Sequence, residues 1–213
     1  MSEAAWERTL TVGTAEQTHA LAASLGAGLQ PGDLLVLSGE LGAGKTTFTQ
    51  GLGEGLGVRA GIISPTFVLV RIHPNLPDGP RPGGPDLVHV DAYRLGSASE
   101  IDDIDLENTM DSSVTVVEWG RGRVEHLSES RLEVELHRQL GGTPVGAAPG
   151  ALTGGQAATQ PATQPADAEV LDFDTDDADE PRTVVFRGFG PRWAEPPAAL
   201  AAFPSLPATP ETD

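Results

Sequence analysis

The chain has 213 residues, a formal net charge of −18 and no cysteine. The absence of cysteine excludes disulfides, thiolate metal sites and a cysteine nucleophile. The negative charge argues against direct binding of nucleic acid, which needs clustered lysine and arginine. The N-terminal residues lack a signal-peptide pattern and no apolar stretch has membrane-spanning length, so we expect a cytoplasmic protein with no membrane partner.

The first two elements predicted are a short strand and a helix. The strand is expected at Thr9 to Val12. Thr14 is followed three residues later by Gln17, which is a capping-box pattern and predicts a helix that extends to about Leu25.

A phosphate-binding loop is predicted next. A continuous apolar run, Leu34 to Leu37, is typical of a buried parallel strand. The segment that follows fits the P-loop pattern G-x-x-x-x-G-K-[ST] at every fixed position. Its residues are Gly39, Glu40, Leu41, Gly42, Ala43, Gly44, Lys45 and Thr46, and Thr47 comes directly after them. The glycines allow backbone N–H groups to surround a phosphate, and the next helix adds the positive end of its dipole.

Lys45 strengthens this prediction because it is the only lysine of the chain. All other basic side chains are arginines, so an ammonium group is kept where a compact charge must reach between two phosphates. The first functional hypothesis is therefore binding of a nucleoside triphosphate.

Strands and helices continue to alternate after the loop. Strands are predicted at 62–70, 87–91 and 114–119, an acidic helix at about 98–110, and a proline- and glycine-rich loop at 74–85. This order predicts an α/β fold, a P-loop NTPase-like sheet flanked by helices in a single compact domain.

Two carboxylates end apolar strands of this predicted sheet. Asp91 follows Leu-Val-His-Val, and Glu118 follows Val-Thr-Val-Val. In P-loop proteins a carboxylate at such a position holds Mg²⁺ opposite the hydroxyl of the loop. The spacing alone leaves open which of the two does so.

A low-complexity insertion interrupts the domain. Segments 131–137 and 183–187 alternate polar and apolar residues and predict two neighbouring strands. The connection between them contains two Ala-Thr-Gln-Pro repeats and an acidic cluster, so we expect it to be disordered. A solvated linker is favoured for the acidic cluster, with a docking segment for a basic partner as the alternative. The predicted organisation is an ATPase domain at 1–139, an insertion at 140–182, a returning strand at 183–193 and a Pro/Ala-rich tail at 194–213, disordered from Pro196.

Four motifs in this order resemble one family. They are the P-loop segment, Ser64-Pro65-Thr66-Phe67, His89-Val90-Asp91-Ala92-Tyr93-Arg94-Leu95 and Glu118-Trp119. Together they look like the bacterial TsaE (YjeE) family, the ATPase component of the machinery that forms threonylcarbamoyladenosine at position 37 of tRNAs decoding codons that begin with A. The resemblance covers residues 9 to 139 and resumes from 183 to 193.

The resemblance implies ATP and Mg²⁺ as cofactors and gives roles to individual residues. Lys45 would bind the β- and γ-phosphates, Thr46 would ligate Mg²⁺, and Glu118 would complete the metal site. Asp91 matches the catalytic aspartate that positions or activates the attacking water. Thr66 would lie in a switch-like loop near the γ-phosphate.

The implied partners are the TsaD and TsaB proteins of the threonylcarbamoyl-transferase complex, with tRNA contacted only through that complex. The roles of Trp119, Tyr93 and Arg94 stay open between function and packing.

Two other functions are compatible with the P-loop. A small-molecule kinase shares the P-loop but needs lid arginines, for which Arg81, Arg121 and Arg123 are the candidates. A non-catalytic module that senses ATP and changes its affinity for a partner is the second alternative. A GTPase is excluded because its Asn-Lys-x-Asp motif needs a second lysine.

Overall fold

The computed structural model of the chain describes residues 3–95, 97–138 and 181–203. Over these ranges it forms one seven-stranded sheet with α-helices packed on both faces. The strands are β1 (Trp6–Val12), β2 (Leu34–Gly39), β3 (Val70–His73), β4 (Asp86–Asp91), β5 (Ser113–Glu118), β6 (Arg131–Arg138) and β7 (Arg182–Phe189). The helices are α1 (Ala15–Gly26), α2 (Lys45–Leu56), α3 (Ala98–Asp102) and α4 (Glu107–Met110), and two 3₁₀ turns follow β7 at Pro191–Trp193 and Ala198–Ala202.

The sheet order brings three strand ends together. The order is β1-β7-β6-β2-β5-β4-β3, in which β6, β2, β5 and β4 are parallel and the other strands antiparallel to their neighbours. The carboxyl ends of β2, β5 and β4 therefore lie side by side at one edge. Leu37 and Asp91 both pair with Glu118 in register, so the glycine-rich loop after β2 starts beside both strand-end carboxylates.

Two apolar cores, one on each face, hold this edge in place. The larger core lies between the sheet and helices α1 and α2 and includes Leu35, Phe48 and Phe186. The smaller one includes Leu34, Val36 and Ile101 and lies under α3 and α4. Consecutive residues of β2 alternate between the two cores, which is why that strand reads as a continuous apolar run.

The structure confirms the predicted α/β class and the neighbouring strand pair. β6 and β7 are antiparallel, with Arg138 opposite Arg182. Arg182 therefore belongs to β7, whereas the sequence analysis placed it in the insertion. Residues 139–180 and 204–213 lie outside the described residues, so the disorder predicted for them stays a prediction.

Three predicted elements were wrong in extent. The run 62–70 is irregular up to Pro65 and then turns, since the amides of Val68 and Leu69 both donate to the carbonyl of Pro65, and only Val70 begins a strand. The single helix predicted at 98–110 is two short helices, because Asp105 takes a left-handed φ of 52°. The strand predicted at Thr9 begins earlier, at Trp6.

The predicted start of the disordered tail was also wrong. Residues 196–203 are ordered, and Leu200 in the second 3₁₀ turn is fully buried in the larger core. The partly buried Phe203 packs against the same core, so two apolar side chains hold this segment, which its alanine- and proline-rich composition did not reveal. Within the described ranges, none of the helices combines the length and hydropathy needed to cross a membrane.

Candidate active site

A cleft of roughly 380 Å³ opens at the edge where β2, β5 and β4 end. Its walls come from the glycine-rich loop, the first turn of α2, the loop before β3 and the ends of β4 and β5. The lining residues are Ala15, Leu41, Gly42, Gly44, Lys45, Thr46, Thr47, Gln50, Ser64, Thr66, Asp91, Glu118 and Trp119.

The glycine-rich loop has backbone angles that favour glycine over other residues. Gly39, Gly42 and Gly44 have φ values of 143°, 76° and 95°, in the region that other residues rarely adopt. A Cβ atom at Gly39 would also lie 2.4 Å from the carbonyl oxygen of Leu136. α2 begins directly after Gly44, and no side chain caps its first N–H groups. Those donors and the positive end of the helix dipole therefore face the cleft, an arrangement suited to phosphate.

Lys45 places a cation inside this anion-binding turn. Its side chain is 6% exposed, and Nζ donates to the carbonyls of Gly39 at 3.0 Å and Glu40 at 2.9 Å. The Trp119 ring lies 4.2 Å from Nζ. Burial lowers the pKa of Lys45, and the charges of Glu118 and Asp91 oppose that shift.

Asp91 accepts hydrogen bonds on both of its carboxylate oxygens. Its Oδ2 accepts a hydrogen bond from the hydroxyl of Thr66 at 2.7 Å. The Ser64 hydroxyl lies 3.3 Å from the same oxygen and 2.8 Å from Oγ1 of Thr66, and its single hydrogen is shared between these two acceptors. Oδ1 of Asp91 accepts from the backbone N–H of Tyr93 at 2.9 Å. A carboxylate oxygen can accept a second bond, so Oδ1 keeps a free lone pair for a water molecule. The loop before β3 thus orients this carboxylate.

Glu118 lies beside Asp91 and is held by a different residue. It is 3% exposed, and its Oε1 is 2.8 Å from Nε2 of His89, a fully buried histidine of β4. His89 is packed inside the sheet, and its bond to Glu118 was not predicted from the sequence. The spacing in the sequence could have indicated that His89 lies near the site. His89 and Asp91 are two residues apart, so their side chains lie on the same face of β4.

The oxygen donors of the cleft fit Mg²⁺ in combination with phosphate. Thr46, Asp91 and Glu118 are hard oxygen ligands of the kind this ion prefers. Within the described residues, no group of three histidine, aspartate or glutamate side chains could hold a metal ion by itself. Phosphate oxygens would therefore have to supply part of the coordination, as in nucleotide-dependent magnesium sites.

Most of the predicted site residues meet in this one cleft. Leu41, Gly42, Gly44, Lys45, Thr46, Thr47, Thr66, Asp91 and Glu118 all line it. Gly39, Glu40 and Ala43 do not line it; the first two turn carbonyls toward Lys45, and Ala43 is buried in the larger core. Ser64 and Gln50 line the cleft although neither was predicted as a site residue.

Two aromatic residues beside the cleft have unusual geometry. Trp119 has a left-handed φ of 62°, which is strained for a bulky side chain. Its ring is edge-on to Tyr93, with ring centroids 5.6 Å apart. Strain of this kind persists only where the surroundings hold the residue in place, and here Trp119 lies between Lys45 and Tyr93.

Comparisons with known proteins agree with the class that this fold and cleft define, a mixed α/β protein with a glycine-rich loop at the carboxyl edge of its sheet. The model of the family described as threonylcarbamoyl adenosine biosynthesis protein TsaE matches residues 12–142. The TsaE protein of Streptomyces coelicolor is 45% identical over 175 residues, which cover 82% of this chain and 92% of the relative. The TsaE protein of Bacillus subtilis is 41% identical over 124 residues, covering 58% of this chain and 73% of the relative.

A solved structure shows the same fold. The crystal structure of YdiB from Bacillus subtilis superposes with a TM-score of 0.55 at 26% sequence identity, covering 91% of this chain and 90% of that one. The chain belongs to the TsaE family and hence to the proteins of tRNA threonylcarbamoyladenosine biosynthesis.

Proposed function

We propose that the chain binds ATP with Mg²⁺ in this cleft and hydrolyses it slowly. The hydrolysis supports turnover of the TsaD and TsaB complex that forms N6-threonylcarbamoyladenosine at position 37 of tRNAs reading codons that begin with A. The observation that carries the proposal is the meeting of Lys45, Asp91 and Glu118 at the uncapped N-terminus of α2.

Each residue has a role that its surroundings permit. The loop N–H groups and Lys45 bind the phosphates, and Lys45 exchanges the carbonyls of Gly39 and Glu40 for phosphate oxygens. Thr46 and Glu118 hold Mg²⁺, which neutralises charge on the phosphates when it is bound. Asp91 orients the attacking water through the free lone pair of Oδ1. Positioning and charge neutralisation of this kind suffice for slow phosphoryl transfer.

The lining of the cleft supports slow rather than fast hydrolysis by the isolated chain. Among the described residues that line it, there is no arginine to stabilise charge on the transferred phosphoryl group. An arginine in that position accelerates hydrolysis by about 10³–10⁵ in other P-loop enzymes. Completion of the site by the partner complex is therefore part of the proposal.

The positions of the three candidate lid arginines count against a small-molecule kinase. Arg121 forms an ion pair with Glu135. The other two donate to backbone carbonyls, Arg123 to that of Ala92 and Arg81 to that of Gly26. All three candidate lid arginines are thus bonded to groups outside the cleft.

Asp91→Asn separates hydrolysis from ATP sensing. The amide keeps an oxygen that can accept the bond of Thr66, but its NH₂ group can neither accept from the N–H of Tyr93 nor act as a base. We expect kcat to fall by about 100-fold or more while the Kd for ATP stays within about threefold. Steady-state hydrolysis and equilibrium binding of ATP measure the two effects. Wild-type turnover no higher than that of Asp91→Asn would favour the sensing module.

A further inference from the structure

Glu118 depends on one buried side chain that the proposed reaction does not use. His89 has no exposed surface, and its Nε2 lies 2.8 Å from Glu118 Oε1. A carboxylate that binds a metal only accepts hydrogen bonds, so the hydrogen of this bond belongs to Nε2 of His89. The other ring nitrogen, Nδ1, is buried and has no hydrogen-bond partner among the described residues. The imidazole therefore has one polar contact, and it is directed at the candidate metal site.

The support of Glu118 differs from that of its neighbour Asp91. Asp91 has a donor on each oxygen, the hydroxyl of Thr66 at Oδ2 and the backbone N–H of Tyr93 at Oδ1. Within the described part of the chain, His89 gives Glu118 its one side-chain hydrogen bond. Loss of a single donor should leave Asp91 in place, but it would free Glu118 to rotate about its three side-chain torsions.

We propose that His89 is a positioning residue that fixes the Glu118 carboxylate in the orientation needed for the Mg²⁺ site. This inference rests on the proposed function. Strand β4 would then have two linked roles. It supplies Asp91 at its end, and two residues earlier, on the same face, it supplies His89, the donor that orients Glu118 of β5. Groups that orient metal-binding carboxylates typically change metal affinity by about 10- to 100-fold when they are removed.

His73 provides a matched control for the alternative that His89 only fills the core. Both histidines are buried in neighbouring strands, with ring centroids 6.3 Å apart. Nε2 of His73 has no hydrogen-bond partner among the described residues, and none of the ion pairs found there joins it to Glu118. A substitution of His73 therefore changes packing without removing a donor from the carboxylate.

The test compares four variants by the affinity for Mn²⁺, measured by electron paramagnetic resonance with a saturating non-hydrolysable ATP analogue. His89→Leu removes the donor, and we expect the Kd for Mn²⁺ to rise about tenfold. His89→Gln places an amide N–H where Nε2 was, so its Kd should stay within about threefold of wild type. His89→Asn carries the same amide on a shorter side chain and should resemble His89→Leu. His73→Leu should change the Kd by less than about twofold, even if it lowers the melting temperature.

The Gln and Asn variants keep the test decisive if His89→Leu does not fold. Equal Mn²⁺ affinities for His89→Gln and His89→Asn, or equal losses in His73→Leu and His89→Leu, would overturn the inference. A second readout is ¹⁵N NMR of the metal-free wild type, where a hydrogen on Nε2 of His89 is expected and its absence contradicts the bond.

Failure of the proposed function gives a separate result. If wild-type protein neither binds the analogue with Mn²⁺ nor hydrolyses ATP, both proposals fall together. If it does both and the His89 variants bind Mn²⁺ as tightly as wild type, only the role of His89 is refuted.

Discussion

At the scale of single residues, two hydroxyl groups lie at unequal distances from the Oδ2 atom of Asp91. Thr66 donates to Oδ2 at 2.7 Å, whereas the Ser64 hydroxyl lies 3.3 Å from this oxygen and only 2.8 Å from Oγ1 of Thr66. Hydrogen bonds to charged groups contribute about 1.5–3 kcal/mol, and the contribution falls as the bond lengthens. Thr66 should therefore matter more to catalysis than Ser64.

We predict that Thr66→Val lowers kcat about tenfold, since valine keeps the shape of threonine without the donor. Thr66→Ser retains the hydroxyl and should stay within about threefold of wild type, as should Ser64→Ala. Steady-state kinetics give kcat, and the Kd for ATP, measured alongside, separates loss of the bond to Asp91 from loss of a contact to the nucleotide. Equal kcat values for Thr66→Val and Thr66→Ser would remove the role given to this bond.

The sequence predicted the identity of the catalytic candidates better than their environment. Lys45 and Thr46 have fixed places in a local pattern, so their positions follow from a few neighbouring residues. The donors of Asp91 lie 25 and 27 residues before it in the chain, and only the folded sheet edge brings them together. The left-handed backbone of Trp119 is set by tertiary contacts and has no sequence signal of its own.

At the scale of elements, α1 and α2 pack closely because α2 carries glycine at the contact. A Cβ atom at Gly51 would lie 2.3 Å from the carbonyl oxygen of His19 and 2.8 Å from Cβ of Ala22. Neither of these atoms can move without shifting α1. The approach of the two helices positions the start of α2, and with it Lys45.

We expect Gly51→Ala to lower the free energy of unfolding by about 2 kcal/mol, although alanine favours helices by about 1 kcal/mol. Gly53→Ala is the control, because the nearest atom to its Cβ is the flexible end of the Ile62 side chain. That variant should stay within about 1 kcal/mol of wild type. Urea unfolding followed by circular dichroism measures both, and a Gly51→Ala protein as stable as wild type would contradict the close packing.

An ion-pair network joins β1, β7 and β6 on the sheet face opposite α1 and α2. Arg187 contacts Glu7 at 2.6 Å and Glu135 at 2.7 Å, and Arg121 contacts Glu135 at 2.9 Å. The hydrogen bond from Arg121 is the main cause that lowers the pKa of Glu135 from 4.5 to about 2, and Arg187 adds to it. The depressed pKa means that the ionised form is favoured in the folded state.

This shift predicts the pH dependence of the network. Its stabilisation is fully present above pH 4.5 and is lost as pH falls toward 2. Glu135→Gln should therefore lower the free energy of unfolding by about 1 kcal/mol at pH 7 and by progressively less below pH 4.5. Urea unfolding from pH 7 to pH 3 tests this, with the exposed Glu195→Gln as control. A difference in the free energy of unfolding between wild type and Glu135→Gln that stays constant down to pH 3 would show that the ionised carboxylate of Glu135 is not its cause.

At the scale of the whole molecule, the sequence predicted the α/β class because strand and helix patterns alternate around a recognisable loop. It did not predict where regular structure ends. Asp105 breaks the helix by its backbone conformation, and two apolar side chains hold residues 196–203 through burial that composition cannot show. Boundaries of this kind depend on contacts between distant segments, whereas the class follows from local periodicity.

The β6–β7 pairing predicts that the long connection is not needed for folding. Arg138 and Arg182 are directly opposite each other, so a two-residue turn can join them. We expect replacement of residues 139–181 by Asn-Gly to leave the melting temperature within about 4 °C of wild type, since a shorter loop costs less closure entropy. The Kd for ATP should be unchanged. Loss of cooperative thermal unfolding in the shortened chain would refute the prediction.

The most direct test of the central claim is Mg²⁺-dependent ATP hydrolysis by the purified chain, alone and with the TsaD and TsaB complex plus tRNA. Lys45→Ala serves as the blank because it removes the ammonium that binds the phosphates. We expect slow hydrolysis by the chain alone, stimulation by the complex, and no turnover above background in Lys45→Ala under either condition. Hydrolysis that the complex leaves unchanged, or that persists in Lys45→Ala, would contradict the central claim.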